Sequence, residues 1–162
     1  MIRLQQDNQV FYHRAVALFI HQGRVLLHRI GRNPYWSLPG GRVSMMEASR
    51  EAVVREMQEE LEVAIQVDRL VWVVENFFRE KERFFHELGH YYLVSLPDGH
   101  ELYRRSGAFE GWEEGTTIIF QWHPLEGLEA LPLNPGFLPQ ALQHISGSIR
   151  HIVYRDAALV QD

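Results

Sequence analysis

The hydrophobic positions along the chain form short runs separated by polar turns, a pattern that predicts several β-strands and one long helix. The apolar run at residues 15–20 is followed by Gln22-Gly23 and by a second run at residues 25–27. This arrangement is typical of a β-hairpin that turns near Gly23. Three later stretches share a high content of β-branched and aromatic residues and are predicted as further strands: residues 69–78, 90–96 and 116–122.

The most helical segment covers residues 47–61. Ser44 is predicted as its N-cap, and Glu47, three residues later, as the capping-box partner. One side of this helix is charged, and the other is suited to a core. The apolar side consists of four residues at helical spacing: Val53, Val54, Met57 and Leu61.

The rest of the chain completes the outline of an α/β protein. We expect a second helix at residues 135–145, a long surface loop at residues 101–115, and loosely held residues from about Ala157 onward. Strands, a helix, more strands and a final helix indicate a mixed β-sheet with helices packed on it. The length of 162 residues suits a single domain, 1–162, with its core at about residues 10–145.

The charge balance limits the classes of partner. The chain has 16 Lys and Arg against 21 Asp and Glu, a net charge of -5, which disfavours a nucleic-acid binder with a broad basic face. A small phosphorylated substrate stays compatible, because a metal ion can supply positive charge locally. The absence of cysteine excludes disulfides and thiolate metal sites, and it fits a cytoplasmic protein. No apolar run approaches the length of a membrane span, so we expect no membrane partner.

Three glutamates crowd one side of the predicted helix. Glu56, Glu59 and Glu60 fall within an arc of roughly 100°, and the small residue Ala52 lies in the same arc. Like charges at this spacing destabilise a helix by roughly 0.2–0.5 kcal/mol per pair. A hard divalent cation reverses that sign, because Mg²⁺ and Mn²⁺ prefer oxygen ligands. A glutamate-rich helix face is more often merely solvated, so the metal hypothesis depends on the neighbouring residues.

Those neighbours follow a fixed spacing that resembles the Nudix box, G-x5-E-x7-R-E-U-x-E-E-x-G-U, in which U is a bulky aliphatic residue. Eight of the nine defined positions match between Gly41 and Val63: Gly41, Glu47, Arg55, Glu56, Met57, Glu59, Glu60 and Val63. Glu62 stands where the family has its late glycine. That glycine usually ends the helix in a left-handed conformation, so Glu62 implies a longer helix or a strained exit.

The resemblance implies an α/β fold, a Nudix-like α/β/α sandwich with a mixed β-sheet. It also implies hydrolysis of a nucleoside diphosphate linked to another group, with Mg²⁺ or Mn²⁺ as cofactor. The metal ligands it implies are the Gly41 carbonyl and the carboxylates of three glutamates, Glu56, Glu59 and Glu60. Arg55 would orient a glutamate, Glu47 would brace the start of the helix, and Glu56 would help to activate the attacking water.

Outside the box the sequence offers candidates without a spacing argument. Glu87, between two aromatic runs, is a candidate extra metal ligand or general base, although an ordinary surface carboxylate is the simpler interpretation. Glu113-Glu114, before the last predicted strand, also come into consideration for the site. Four residues are candidates for binding the phosphates or stacking on a base: Arg14, Arg29, Tyr35 and Phe78.

Two classes of function stay open. The first is a pyrophosphohydrolase acting on a nucleoside triphosphate, a nucleotide sugar, ADP-ribose or a dinucleoside polyphosphate. The second is a non-catalytic module that binds a nucleotide metabolite on the same fold. Retention of every box glutamate favours the enzyme. The absence of cysteine disfavours the isomerase of isopentenyl diphosphate that shares this fold, and the acidic charge disfavours RNA decapping. The expected partner is a nucleotide-like small molecule; a homodimer is compatible, and the oligomeric state stays open.

Overall fold

The computed structural model describes residues 1–113 and 115–159, and over these residues the chain forms one mixed sheet with short helices. The strands are β1 (Arg3–Gln6), β2 (Gln9–His21), β3 (Arg24–Ile30), β4 (Gly40–Arg42), β5 (Gln66–Glu80), β6 (Arg83–Ser95), β7 (Phe109–Glu113), β8 (Thr116–Pro124) and β9 (Arg150–Arg155). The α-helices are α1 (Ser49–Leu61), α2 (Glu101–Arg104) and α3 (Leu138–Ala141), and 3₁₀ turns cover Leu128–Ala130 and Ala157–Leu159. In this described part, no helix is long and apolar enough to cross a membrane.

The sheet combines parallel and antiparallel pairs. Its order is β7-β8-β3-β2-β6-β5-β9, and β1 and β4 pair with β2 outside this path. The pairs β2–β6 and β5–β9 are parallel, whereas the other pairs are antiparallel. The predicted hairpin is confirmed, because β2 and β3 pair through Ile20 and Val25 across the turn at Gln22-Gly23. The mixed sheet predicted from the order of elements is confirmed as well.

Helices cover both faces of the sheet, as in an α/β/α sandwich. Successive residues of β2 alternate between two hydrophobic clusters, because neighbouring side chains of a strand point to opposite faces. Ala15 and Ala17 pack in the cluster that contains Met57 of α1. Val16 and Leu18 pack in the cluster formed with α3. Burial on both faces explains why the centre of β2 reads as a continuous apolar run.

Several predicted boundaries are wrong. Strand β6 begins at Arg83 rather than at residue 90, so Glu87 lies inside a central strand and not in a surface loop. The polar residues Arg83, His86 and Glu87 interrupt the apolar pattern and hide the first half of this strand. Strand β2 likewise begins at Gln9, well before its apolar run. These boundaries are decided by pairing with strands that are distant in sequence. Local composition does not indicate such pairing.

The second half of the chain departs further from the expectation. Residues 101–115 are not a loop throughout, because they contain α2 and the edge strand β7. The helix predicted at residues 135–145 is reduced to the single turn of α3. Strands β1 and β9 have no counterpart in the prediction, since both are short and rich in polar residues. The residues from Ala157 start with a 3₁₀ turn, and residues 160–162 lie outside the described chain.

The start of α1 differs from the predicted capping box. The helix begins at Ser49 with Ala48 as its N-cap residue, and the backbone N–H of Ala48 donates to Glu51 Oε2 over 2.9 Å. The predicted pair forms a separate turn ahead of the helix, in which the Ser44 backbone N–H donates to Glu47 Oε2 over 2.8 Å. Val54, predicted on the apolar side, is 38% exposed.

The end of α1 shows what replaces the expected glycine. The helix stops at Leu61, and Glu62 adopts a left-handed conformation, with φ 57° and ψ 32°. Its backbone N–H donates to the Gln58 carbonyl oxygen over 3.1 Å. Of the two alternatives stated above, the strained exit is therefore the one that the structure shows. Left-handed geometry brings the Cβ of an ordinary residue close to the carbonyl oxygen and costs about 1–2 kcal/mol.

We expect Glu62→Gly to raise the free energy of unfolding by about 1 kcal/mol, because glycine adopts this conformation without a Cβ clash. Chemical denaturation followed by circular dichroism measures the change. The matched control is Glu62→Ala, which removes the carboxylate but keeps the Cβ and should give a clearly smaller gain. Equal stabilisation by both variants would show that charge, not backbone strain, is relieved.

Candidate active site

The centre of the site is the contact between Gly41 on β4 and Glu56 on α1. A Cβ built on Gly41 would overlap the carboxyl group of Glu56, and one built on Gly40 would overlap the Ala15 carbonyl oxygen. The two glycines therefore let β4 pair with β2 while α1 packs directly against it. As a result Glu56 is only 6% exposed. A larger residue at position 41 would displace the helix or the carboxylate.

Arg55 holds the surrounding carboxylates in place. Its Nε and Nη2 donate to Glu47 Oε1 and Oε2 over 2.7 and 3.1 Å, and its Nη1 donates to Glu56 Oε1 over 2.7 Å. Nη2 also donates to the Arg42 carbonyl oxygen over 3.1 Å. The hydrogen bonds from Arg55 lower the pKa of Glu47 to about 2, despite an opposing effect of burial. The guanidinium thus ties the turn before α1 to the helix itself.

Glu60 lies deeper than the other box glutamates. It is 3% exposed, and its Oε2 has no hydrogen-bond partner among the described residues. Burial, followed by the charges of Glu56 and Glu113, raises the pKa of Glu60 to about 8. Burial also raises the pKa of Glu56, while Arg55 opposes that shift. A cation at this place would satisfy the free oxygen and relieve the repulsion among the carboxylates.

The ligand groups do not form a ready cluster. Within residues 1–113 and 115–159, no group of three or more His, Asp or Glu side chains is placed to hold a metal ion. One Glu56 oxygen is engaged by Arg55, and the Glu59 side chain is exposed, 3.4 Å from the same guanidinium. The donor set still fits a hard cation, because it combines carboxylate oxygens with an unsatisfied buried oxygen atom.

Glu113 adds a fourth carboxylate from a different element. It ends β7, and its charge acts on both Glu56 and Glu60. Gly111 makes this approach feasible, since a Cβ there would lie 2.7 Å from the Glu60 carbonyl oxygen. The sequence pointed to the Glu113-Glu114 pair only loosely, because the edge strand carries no recognisable motif. Glu114 lies outside the described residues.

Glu87 lies on the α3 side of the sheet and is 3% exposed. The Tyr12 hydroxyl donates to its Oε2 over 2.6 Å. Arg14 is half-buried nearby and donates to the Leu38 carbonyl oxygen over 2.9 Å. Burial lowers the pKa of Arg14, but Glu87 and other neighbours outweigh it and leave the pKa raised. Glu60 is among those neighbours, so the charge of Arg14 interacts with one box carboxylate as well as with Glu87.

The other predicted substrate residues are dispersed. The Arg29 guanidinium lies 5.0 Å from the centre of the Trp36 ring. Tyr35 is exposed on the loop that follows β3. Phe78 stacks on Phe85 at 5.0 Å between ring centres. Of the four candidates, only Arg14 has a described electrostatic interaction with the box carboxylates; roles for Arg29, Tyr35 and Phe78 stay predictions.

Known proteins are similar to this chain in sequence and in fold. The NUDIX domain family matches residues 11–144. An uncharacterized Nudix hydrolase, YvcI from Bacillus subtilis (strain 168), is 28% identical over 113 residues, 70% of this chain and 66% of that protein. The chain thus spans slightly less than two thirds of this curated relative's length.

Solved structures of Nudix proteins are similar to this chain in fold. A MutT NUDIX hydrolase from Burkholderia pseudomallei shares 27% identity with a TM-score of 0.58, covering 84% of this chain and 98% of its own. An ADP-ribose pyrophosphatase from Streptococcus suis 89-1591 shares 16% identity with a TM-score of 0.55, covering 88% and 98%, a likeness of fold alone. Because the family match spans most of its length, the chain belongs to the Nudix family.

The Arg55–Glu47 pair predicts an acid dependence of stability. In the presence of chelator, Arg55→Met should lower the free energy of unfolding by about 1–2 kcal/mol at neutral pH, since two carboxylates lose their donor. The folded pKa of Glu47 lies below its ordinary value of 4.5. The pair therefore stabilises the fold fully above pH 4.5, and this contribution is lost as pH falls toward 2.

Urea denaturation at several pH values tests the pair. The difference in the free energy of unfolding between wild type and Arg55→Met should become smaller below pH 4.5. Arg50→Met is the matched control on the same helix. Arg50 donates to the Val67 carbonyl oxygen over 3.0 Å, and this acceptor does not titrate. The difference in the free energy of unfolding between wild type and Arg50→Met should not change with pH. If the difference for Arg55→Met were also independent of pH, the assignment of the Arg55–Glu47 ion pair would be contradicted.

Proposed function

We propose that the chain hydrolyses a phosphate anhydride in a nucleoside diphosphate linked to another group, using a divalent metal ion. The observation that carries the proposal is the buried, unpartnered oxygen of Glu60 beside the charges of Glu56 and Glu113. Burying several carboxylates together is unfavourable unless a cation joins them. Nudix proteins generally need divalent metal ions. We propose Mg²⁺ or Mn²⁺, because the donors are all oxygens.

Glu56, Glu59 and Glu60 would hold the metal together with the Gly41 carbonyl, and Glu113 is a further candidate ligand. When bound, the metal supplies positive charge that neutralises the phosphate oxygens and makes the attacking water more acidic. Glu56 would accept a proton from that water. Arg55 keeps one oxygen of Glu56 oriented by a hydrogen bond of 2.7 Å. Glu47, fixed by the same guanidinium, braces the chain before α1.

Arg14 is the best-placed cation for the substrate phosphates. It is held by the Leu38 carbonyl oxygen, and its charge interacts with both Glu60 and Glu87. A guanidinium in this position would bind phosphate oxygens without competing with the metal for the same carboxylate atoms. Three statements stay predictions: the catalytic role of Glu87, the single-domain organisation and a cytoplasmic location. The oligomeric state stays open.

The proposal is tested by incubating the protein with nucleoside triphosphates, nucleotide sugars, ADP-ribose and dinucleoside polyphosphates, with Mg²⁺, Mn²⁺ or chelator. We expect turnover of one class that requires metal and is abolished by chelator. Released phosphate, pyrophosphate and nucleoside monophosphate identify the bond that is cleaved. Metal-independent turnover would contradict the metal site. Tight binding without any turnover would instead support a binding module.

Glu56→Gln should reduce kcat by about a hundredfold or more while the protein stays folded, because the carboxamide can neither hold the metal as well nor accept the proton. Glu51→Gln, at the exposed start of the same helix, is the matched control, since a carboxamide oxygen still caps the Ala48 N–H. Circular dichroism verifies folding of both variants. Wild-type rates in Glu56→Gln would contradict the proposed roles of Glu56 as metal ligand and proton acceptor.

A further inference from the structure

Two histidines on the central parallel strands are in direct contact. Nε2 of His13 on β2 lies 2.9 Å from Nδ1 of His90 on β6, and the ring centres are 4.8 Å apart. Both side chains are half-buried. They lie on the α1 side of the sheet, because Ala15 and Tyr92, two residues further along each strand, pack in the cluster of α1. The proposed mechanism gives no task to either histidine.

The contact between the two nitrogens is a hydrogen bond only while at least one ring is neutral. A neutral imidazole has one N–H group and one nitrogen lone pair, so one ring can donate to the other. When both rings are protonated, both nitrogens carry hydrogen, and the rings repel each other as like charges. Histidine takes up protons between about pH 5 and 8, so acid within an ordinary range acts on this contact.

Burial favours the neutral form of both rings. It lowers the pKa of His13 and of His90 below the ordinary value of 6.5, and the charge of His90 lowers the pKa of His13 further. Such rings stabilise the fold fully above pH 6.5, and this contribution is lost as pH falls below 6.5, because the unfolded chain then binds more protons. The loss therefore begins at a higher pH than the loss assigned to Glu47.

The titratable groups of the neighbouring strands on this face have contacts of their own. In the strand register, Leu88 separates Glu75 of β5 from His13. Glu75 Oε2 lies 2.7 Å from Nε2 of His151 on β9. His86 of β6 stacks on an aromatic ring of β5 at 4.4 Å between ring centres. These contacts leave the two rings as each other's described hydrogen-bond partners.

The other elements against this face carry charged groups that are also engaged. Arg55 donates to Glu47 and Glu56. Near the start of α1, Arg50 donates to a backbone carbonyl oxygen, and Glu51 accepts from a backbone N–H. The residues that β1 and β4 pair with this side of β2 are uncharged. The acid dependence of the contact therefore comes from the two rings themselves.

The contact lies in the segment of β2 that carries residues of the proposed site. His13 is flanked by Arg14, the cation proposed for the substrate phosphates, and by Tyr12, which bonds a buried carboxylate of β6. The same segment holds β4, because the Val43 N–H donates to the His13 carbonyl oxygen over 2.9 Å. Local separation of β2 from β6 would therefore disturb this segment and the strand that contains Gly41.

We propose that the His13–His90 pair is a pH-sensitive contact that holds β2 against β6 at neutral pH and releases it when acid protonates both rings. The released state has weaker pairing of the two strands around the pair and lower stability. No covalent bond changes, so raising the pH restores the contact. The proposal concerns the fold and does not depend on the proposed function.

A double-mutant cycle measures the contact. Urea denaturation in chelator gives the unfolding equilibrium constants of wild type, His13→Leu, His90→Leu and the double variant, from about pH 8 to about pH 5. Above pH 6.5 we expect the two side chains to be coupled favourably by about threefold or more, as for one hydrogen bond. The coupling should decrease below that pH and become unfavourable. Coupling that is absent at high pH, or that does not change with pH, would overturn the proposal.

Ser49→Ala and Tyr92→Phe form the matched control cycle. The two hydroxyl oxygens lie 2.6 Å apart on the same face, and hydroxyl groups take up no proton in this range. Their coupling should be independent of pH. Burial also lowers the pKa of His28 and His123, but both are present in all four proteins of each cycle, so their contribution cancels. The same pH dependence in both cycles would show a general effect of acid and overturn the proposal.

Nuclear magnetic resonance observes the rings and the strands without any turnover. The titration midpoint of His13 should rise in His90→Leu, because the neighbouring charge is removed. In acid, amides of β2 and β6 near the pair should lose protection from hydrogen exchange by about threefold or more relative to β8 amides, and this loss should be absent in the double variant. An unchanged midpoint, or an equal loss of protection in the double variant, would contradict the proposal whether or not the protein is an active hydrolase.

Discussion

The close contact between the Gly41 backbone and the Glu56 carboxyl group fixes the depth of α1 against the sheet. Every other feature of the site depends on this depth. It buries Glu56 and Glu60, brings Arg55 within reach of the turn before the helix, and places the end of α1 against β7. A glycine is required here for space, not for an unusual backbone angle. The glycine of the motif therefore sets the distance at which the helix packs against the sheet.

Two arginines interact with different carboxylates of the site. Arg55 bonds Glu47 and Glu56 on the outer side, and Arg14 interacts with Glu60 and Glu87 on the inner side. Neither arginine satisfies the buried oxygen of Glu60, so an unpaired oxygen atom remains where the metal is proposed. The hydrogen bonds of Arg55 thus order the carboxylates of Glu47 and Glu56.

The sequence predicted the box helix, the hairpin and the mixed sheet because each leaves a local signal: helical spacing, a glycine turn, or an apolar run. It missed the first half of β6, since Arg83, His86 and Glu87 interrupt the apolar pattern of that strand. The burial of Glu87 gave no signal either, because its neighbour Tyr12 is distant in the chain and is reached only through strand pairing. The contribution of Glu113 likewise depends on an edge strand that has no motif.

The parallel pairing of β2 with β6 has a consequence for folding kinetics. The hydrogen bond between Tyr12 and Glu87 closes a separation of 75 residues, and parallel strands cannot form it through a tight turn. Contacts of such high contact order form slowly, because loop-closure entropy is lost before they stabilise the chain. Local elements such as the β2–β3 hairpin and α1 can form first. A nascent chain would therefore carry its acidic helix before the central parallel pair of the sheet is complete.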